Sequence, residues 1–366
     1  MVNRKRPFRV LVDLDRLKDV NSGLGQVALH FGKALSRLRD EDLEFTFLVP
    51  SAWRGRFGDA VKYETISLRR RFLPFLCPGY DLWYTIHQDS HHFPSNRQVP
   101  FVLTINDLNF LGEKAPAKAR QRLLRLQGKV ARARALSVIS KHTETIVRDN
   151  LDVGARPIHV IYCGIEVEEY PNAPQPEYAP EGDILFSIGV VRPRKNYGVL
   201  IDFIGALPSN YKLVIAGNKS GSHAAELERR IVEAGLRERI VLPGPISDED
   251  KYWLYSHCKA VLFPSQLEGM GLPPIEAMRY GKPVFASAAS SVPEVCGDKA
   301  YYWESVDPEL MSTFFLAKID EFYRDDTRRE LCRRHSFRYD WDANAREYVS
   351  LFKALLMEKQ ESARDV

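Results

Sequence analysis

Ser265-Gln266-Leu267-Glu268-Gly269-Met270-Gly271-Leu272-Pro273-Pro274-Ile275-Glu276-Ala277-Met278-Arg279-Tyr280-Gly281 is a short acidic, glycine-rich loop that runs into a helix. Pro273 and Pro274 suit the first helical turn, where a missing N–H costs nothing. Ile275, Ala277 and Met278 supply apolar contacts, and Gly281 is placed to end the helix. The apolar run Ala260-Val261-Leu262-Phe263 ahead of the loop reads as a buried strand. Strand, glycine loop and helix N-terminus together predict an anion site, because free N–H groups and the helix dipole favour phosphate. Glu268 and Glu276 flank that site with seven residues between them. A carboxylate beside a diphosphate repels it, so the pair is expected to grip hydroxyls instead. A diphosphate with neighbouring hydroxyls is the chemistry of a nucleotide sugar.

Outward from this run, strands alternate with helices. Strand candidates at 8–13, 43–50, 99–105, 135–139 and 158–162 precede the proline-rich polar connector Tyr170-Pro171-Asn172-Ala173-Pro174-Gln175-Pro176. Others at 184–189, 211–216, 239–242, 259–263 and 283–286 follow it. This alternation predicts an α/β chain with a parallel sheet in each half: two Rossmann-like, doubly wound domains facing a cleft. The expected domains are 1–170 and 171–342, with a last helix at 343–366.

Composition fits that plan. The 366 residues suit about two domains, and 45% hydrophobic content fills two cores. No apolar run approaches the ~18 residues that span a bilayer. The opening residues meet Asp13 and Asp15 too soon for a signal peptide. The five cysteines are scattered without a CxxC pair, so metal and disulfide use is not expected and a reducing cytoplasm fits.

Charge is unevenly divided. Residues 1–170 hold 27 Lys and Arg against 19 Asp and Glu, whereas 171–366 hold 25 against 29. The basic excess lies at Arg69-Arg70-Arg71, next to apolar Phe72-Leu73-Pro74-Phe75-Leu76, and along 113–134. The second stretch carries Lys114, Lys118, Arg120, Arg122, Arg125, Lys129, Arg132 and Arg134 with an apolar face of Leu123, Leu124, Leu126, Val130 and Ala133. One reading is contact with an anionic membrane surface or a lipid-diphosphate acceptor. The other is a solvated helix face beside a core strand. No nucleic-acid reader motif is present, so nucleic acid is not an expected partner.

Glu268 and Glu276 within EGMGLPPIEAM resemble the signature of the retaining glycosyltransferases of family 4, which have the GT-B fold. The resemblance extends over most of the chain. Asn21-Ser22-Gly23-Leu24-Gly25-Gln26 looks like the family's loop after the first strand, although a plain tight turn accounts for it equally. Gly189-Val190-Val191-Arg192-Pro193-Arg194-Lys195-Asn196 looks like the family's basic clamp on the donor diphosphate. Lys195 falls at the family's lysine. Val190 stands where an arginine is frequent, which leaves Arg192 or Arg194 as its substitute. Ile215-Ala216-Gly217 and Val241 to Ile246 resemble strand ends that cradle the base. Cys163-Gly164-Ile165-Glu166 resembles the turn before the interdomain linker.

Asn106, in Thr104-Ile105-Asn106-Asp107, stands where the family has a histidine. Asn can donate and accept hydrogen bonds but carries no charge. His87, His91 and His92 are candidates to meet the acceptor in its place. Asp13-Leu14-Asp15 imitates a metal-binding DxD motif, but in this context it reads as structural, with Asp15 near the glycine loop and the acceptor.

The resemblance thus implies a catalytic set of Lys195, Arg192, Arg194, Glu268 and Asn106. The implied donor set is Gly23, Gly25, Gly189, Gly217, Ile246, Gly269, Met270, Gly271, Leu272 and Glu276, with Glu276 on the ribose and Glu268 on the donor sugar. Asp15, His87, His91 and Asp107 face the acceptor, and no metal is expected. The N-terminal domain would bind the acceptor, the C-terminal domain the nucleotide sugar, and the last helix would cross back to the first domain. The Pro-Arg-Lys-Asn form points to the mannosyltransferase-like branch of bacterial surface-polysaccharide enzymes, hence to GDP-mannose and a glycan or lipid-linked acceptor. Transfer would be front-face and retaining, in the cytoplasm or at the inner face of the plasma membrane. Two other readings stay open: a catalytically silent scaffold, and a sugar-nucleotide epimerase of the same fold.

Overall fold

Runs such as Val10-Leu11-Val12, wholly shielded from solvent, belong at the centre of a parallel sheet, which is covered on both faces. The computed structural model describes residues 6–66 and 79–362 and contains two such sheets. They lie in separate compact units: one holds the chain up to Gly164 and again from Tyr339, the other holds Ile165–Arg338.

The first sheet comprises β1 (Phe8–Asp13), β2 (Leu43–Val49), β3 (Lys62–Thr65), β4 (Leu82–Thr85), β5 (Phe101–Ile105), β6 (Ala135–Val138) and β7 (Ile158–Val160). Its order is β3-β2-β1-β4-β5-β6-β7, with every pairing parallel. The second comprises β8 (Asp183–Ile188), β9 (Tyr211–Ala216), β10 (Ile240–Gly244), β11 (Ala260–Phe263), β12 (Val284–Ser287) and β13 (Tyr301–Trp303), in the order β10-β9-β8-β11-β12-β13. The ten strands expected from apolar runs are present. β3 (Lys-Tyr-Glu-Thr), β4 (Leu-Trp-Tyr-Thr) and β13 (Tyr-Tyr-Trp) are largely polar or aromatic and lack the aliphatic run that marks the other strands.

The strand order reverses between β1 and β4 in one unit and between β8 and β11 in the other. Doubly wound sheets bind ligands at the carboxyl ends of their strands beside such a reversal. The residues that follow those four strands therefore stand at the candidate ligand positions.

The first unit ends at Gly164, six residues before the expected boundary. The proline-rich connector belongs to the second unit because Tyr170 packs edge-on against Tyr252 and the Tyr178 hydroxyl donates to Asp250. The last helix starts at Trp341, two residues earlier than expected, because Asp340 Oδ1 accepts the Ala343 N–H at 2.8 Å and caps it. That helix packs within the first unit. It buries Tyr348, Phe352, Leu355 and Leu356, and Tyr348 lies 5.3 Å from the Phe31 ring and 4.7 Å from that of Tyr84. Among the described residues no helix is long and apolar enough to cross a membrane.

Candidate functional site

At the reversal of the second sheet, β8 ends in Gly189 and the basic turn, and β11 ends in the acidic loop. The turn Pro193–Lys195 is a single 3-10 turn closed by Asn196 in the left-handed region, φ 52°. It folds Lys195 inward. Lys195 Nζ lies 2.5 Å from Glu268 Oε1 and 4.9 Å from the centre of the Phe263 ring. The two charged side chains are only 8% and 10% exposed. Ser265 Oγ donates to the same carboxylate at 2.5 Å, and Arg194 Nη1 lies 3.4 Å from its other oxygen. Burial alone would raise the Glu268 carboxyl, but the Lys195 ammonium and the Arg194 guanidinium outweigh it and hold the group below the ordinary range.

The structure separates the two arginines that the sequence left open. Arg194 is committed to the acidic loop: Nη1 donates to Leu267 O at 2.9 Å, and its own carbonyl accepts from Gln266 N. Arg192 is exposed and has no partner among the described residues.

Around this pair the backbone is bare. Gly217 has φ 130°, and a Cβ there would sit 2.2 Å from Gly189 O, so no other residue fits at the end of β9. Gly271 adopts φ 80° and leads into helix Leu272–Arg279, with prolines in the first turn as expected. Met270 is buried, Gly269 and Leu272 are half-buried, and Ile246 is half-buried just beyond β10. On the helix, Glu276 faces helix Asp248–His257: Oε1 lies 2.8 Å from Lys251 Nζ, and Oε2 accepts from the buried Tyr255 hydroxyl at 2.7 Å. The second unit thus holds two fixed carboxylates, one beside a lysine and the other beside a tyrosine and a lysine.

The remaining candidates gather at the reversal of the first sheet. Asp15, just past β1, is nearly buried and accepts from His87 Nε2 at 2.6 Å. His87 Nδ1 accepts the Asp89 N–H at 3.1 Å, which makes the imidazole the neutral Nε2–H tautomer. Burial likewise holds its pKa down. His87, expected to meet an acceptor, has its ring wholly shielded and both nitrogens engaged, one of them on Asp15. His91 is exposed. Asn106 is buried; Nδ2 donates to Ile86 O at 2.9 Å and its backbone N–H donates to Gln88 Oε1 at 3.1 Å. It ties the ends of β4 and β5 together. Asp107, half-buried beside it, caps the Asn109 N–H. Gly25 owes its small size to its own loop, since a Cβ would meet Asp19 O at 2.0 Å, and its N–H is taken by the Ser22 cap at 3.1 Å. Gly23 opens the same helix, Gly23–Arg37.

Asp13, expected to be structural, lies under this cluster. Its carboxyl accepts from Ser90 Oγ and from Asp15 N. Complete burial, and then the Asp15 carboxylate, push its pKa up to about 8. The folded state therefore binds a proton that the unfolded chain releases near pH 4, and stability from this group is lost as pH rises toward 8. His87, with its lowered pKa, and Asp15, also lowered, act in the opposite sense but below about pH 6.5. Between pH 6.5 and 8 the expected result is a thermal midpoint that falls as pH rises, because of these three groups Asp13 is the one that loses its proton there. Asp13→Asn, neutral at every pH, is expected to flatten that slope in thermal melts. A slope unchanged in the variant would exclude Asp13 as its source.

The basic helix is Pro116–Arg132. Three of its cations turn inward: Arg122 pairs with Asp89, Lys129 Nζ donates to Gln88 O and Ser90 O at 2.6 and 2.7 Å, and Arg132 donates to Pro94 O. They brace the loop that carries His87. Lys118, Arg120 and Arg125 are exposed, as is Lys114 ahead of the helix, and Leu124 beside them is 64% exposed. The basic and apolar run 69–76 lies outside the described residues. Among the described residues no cluster of His, Cys, Asp and Glu could hold a metal ion. An open cavity of about 660 Å³ lined by Ser36, Arg37, Arg39 and Phe57 lies at the far end of helix Gly23–Arg37 and includes none of the candidates.

Several residues of both sites carry roles that the sequence does not assign to them. Ser265, Ser290, Ser291, Lys251 and Tyr255 hold the two glutamates, and Arg16, Ser90 and Lys129 hold the loop after β4. Only the serines gave a signal, through their concentration at the ends of β11 and β12.

Residues 172–339 match the family model for glycosyl transferases group 1. The chain is 27% identical over 357 residues to the serotype-specific mannosyltransferase WbdA of Escherichia coli, covering 89% of this chain and 43% of that protein. It thus spans less than half the length of this relative. The O-antigen chain mannosyltransferase RfbU of Salmonella typhimurium is 24% identical over 346 residues, covering 85% of this chain and 96% of that one. Sucrose-phosphate synthase from Thermosynechococcus elongatus superposes with a TM-score of 0.73 at 18% identity, covering 96% of this chain and all of that one. Anabaena HepE in complex with UDP and glucose gives 0.70 at 16%, covering 95% of this chain and all of that one. These likenesses show the GT-B fold.

Proposed function

We propose that this chain, whose residues 172–339 carry the group 1 glycosyl transferase match on a GT-B fold, is a retaining hexosyltransferase. It moves mannose from GDP-mannose to a glycan or lipid-linked acceptor in the synthesis of a cell-surface polysaccharide. The observation that carries the reading is the Lys195–Glu268 pair at the reversal of the second sheet, with Glu276 fixed eight residues on. The buried Lys195 ammonium, with exposed Arg192 three residues before it in the same basic turn, supplies positive charge where a diphosphate leaves. Two carboxylates already held in place supply acceptors for sugar and ribose hydroxyls without an ordering cost at binding.

The donor identity is supported by the two mannosyltransferase relatives, and the nucleotide-sugar class by the HepE complex. No metal enters the reading, because lysine and arginine supply the charge. Exposed Lys114, Lys118, Arg120 and Arg125 with Leu124 support peripheral contact with anionic lipid at the cytoplasmic face, each cation adding about 1 kcal/mol near such a surface. The second reading, a silent scaffold, is favoured by Asn106, whose amide is spent on Ile86 O.

Thermal-shift measurements with GDP-, UDP- and dTDP-sugars test the proposal, since a specific ligand stabilises by RT ln(1+[L]/Kd). GDP-mannose is expected to raise the midpoint most. A shift with none of them would defeat the enzyme reading.

A further inference from the structure

Among the described residues only two that are not glycine adopt positive φ: Asn196 at 52° and Ser290 at 53°. Asn196 follows Lys195 directly. Asparagine visits the left-handed region readily; serine does so at a cost, and such strain is retained where neighbouring structure demands it. Ser290 lies in the loop after β12, and what it touches is the acidic loop after β11. Its Oγ accepts the Glu268 N–H at 3.0 Å. The next residue, Ser291, is wholly buried, and its Oγ donates to Glu268 O at 3.1 Å. The two serines therefore grip both polar groups of one residue's backbone, while Ser265 holds its carboxylate. Ser287 Oγ completes the bracket by donating to Ser265 O.

We infer that Ser290 is a positioning residue for donor-sugar selection. Its left-handed backbone aims Oγ at the Glu268 amide and so sets where the Glu268 carboxylate stands. A carboxylate that reads sugar hydroxyls must be placed to within a fraction of an ångström, and its neighbours must hold it there. Lys195 and Arg194 pull on the carboxylate itself, and a flexible loop would follow them. The backbone grip resists that pull. Ser290 touches no ligand in this scheme; it acts through Glu268. The inference rests on the proposed function, in which Glu268 meets the donor sugar.

The strain makes the role separable from stability. Ser290→Gly removes the hydrogen bond but also removes the strain, because glycine takes positive φ freely. Its thermal midpoint is expected to stay within a few degrees of wild type. Its affinity for GDP-mannose should fall about tenfold, the scale of one lost hydrogen bond that positions a charged group. Its affinity for GDP alone should be unchanged, and its preference for GDP-mannose over GDP-glucose should shrink. Ser290→Asn, which suits the left-handed region and keeps an acceptor oxygen, is expected to restore most of the loss.

Calorimetry with GDP, GDP-mannose and GDP-glucose on the three proteins decides the matter. Equal weakening of GDP and GDP-mannose by Ser290→Gly, or no weakening of either, overturns the inference while leaving the transferase reading in place. A wild type that binds none of the three overturns both.

Discussion

Lys195→Ala is expected to lower turnover by about 10² or more, the scale of removing one preorganised stabiliser of developing charge. Lys195 is shielded from water, lies 4.9 Å from the centre of the Phe263 ring and has its ammonium fixed by Glu268. A charge in such surroundings acts more strongly than one in solvent, because the local dielectric is low. In the proposed transfer its effect is greatest when the diphosphate departs, so kcat should fall more than donor affinity. The substitution also strands Glu268. Removing one partner of a buried pair costs about 3–5 kcal/mol, and the lower end applies because Arg194 stays 3.4 Å away. In wild type the depressed Glu268 carboxyl contributes stability above about pH 4 that is lost as pH falls through its folded value. Without Lys195 that acid branch should flatten. Steady-state kinetics on folded protein, with circular-dichroism melts from pH 3 to 7, test both parts. Turnover equal to wild type in a folded variant would sink the assigned role.

The residues of this site were readable one by one, but their contacts were not. The strand, glycine loop and helix around Glu268 and Glu276 follow from local pattern, and Leu272–Arg279 is the helix expected there. That Lys195 meets Glu268, 73 positions away, depends on β8 lying beside β11. Strand order is a property of long-range packing, and periodicity carries no trace of it. The choice between Arg192 and Arg194 has the same origin. Both are basic residues of one turn, and only the fold shows that Arg194 is drawn under the acidic loop while Arg192 points out.

In the first unit the gap was wider. β4 is four residues, Leu82-Trp83-Tyr84-Thr85, with no alternation to mark it. The segment with His87 and Ser90 reads as a neighbouring strand end, but its contacts with Asp13 and Asp15 follow only from β4 lying beside β1. Histidine is polar enough to suggest a surface contact, yet His87 is buried because Asp15 and the Asp89 amide satisfy both its nitrogens. Likewise Asn106 carries an amide where the resembled family has an imidazole, and that amide has a definite task in closing the β4–β5 ends. The basic stretch is half brace and half exposed surface, a division no charge count reveals.

Glu276→Ala and Glu268→Ala are expected to separate nucleotide recognition from sugar recognition. Glu276 stands with one oxygen on Lys251 and the other on Tyr255, an arrangement that fixes its position before any ligand arrives. If it holds the ribose, its loss removes an ionic hydrogen bond worth roughly 1.5–3 kcal/mol, so affinity for GDP and for GDP-mannose should fall together by about 10- to 150-fold. Part of that loss is indirect, since the buried Tyr255 hydroxyl also loses its acceptor. Tyr255→Phe alone should therefore weaken both ligands by a smaller, equal factor. Glu268 stands apart from this group, beside Lys195 and within the bracket of serines. Its truncation should weaken GDP-mannose and leave GDP almost unchanged. Glu268→Gln keeps the shape and Ser265's acceptor, so any loss it shares with Glu268→Ala belongs to the missing charge and not to a collapsed loop. Calorimetry with both ligands on all four variants separates the roles. Equal losses for both ligands in both glutamate variants would reject the division, because a single shared contact, or general loosening of the helix start, would then account for everything the two carboxylates do.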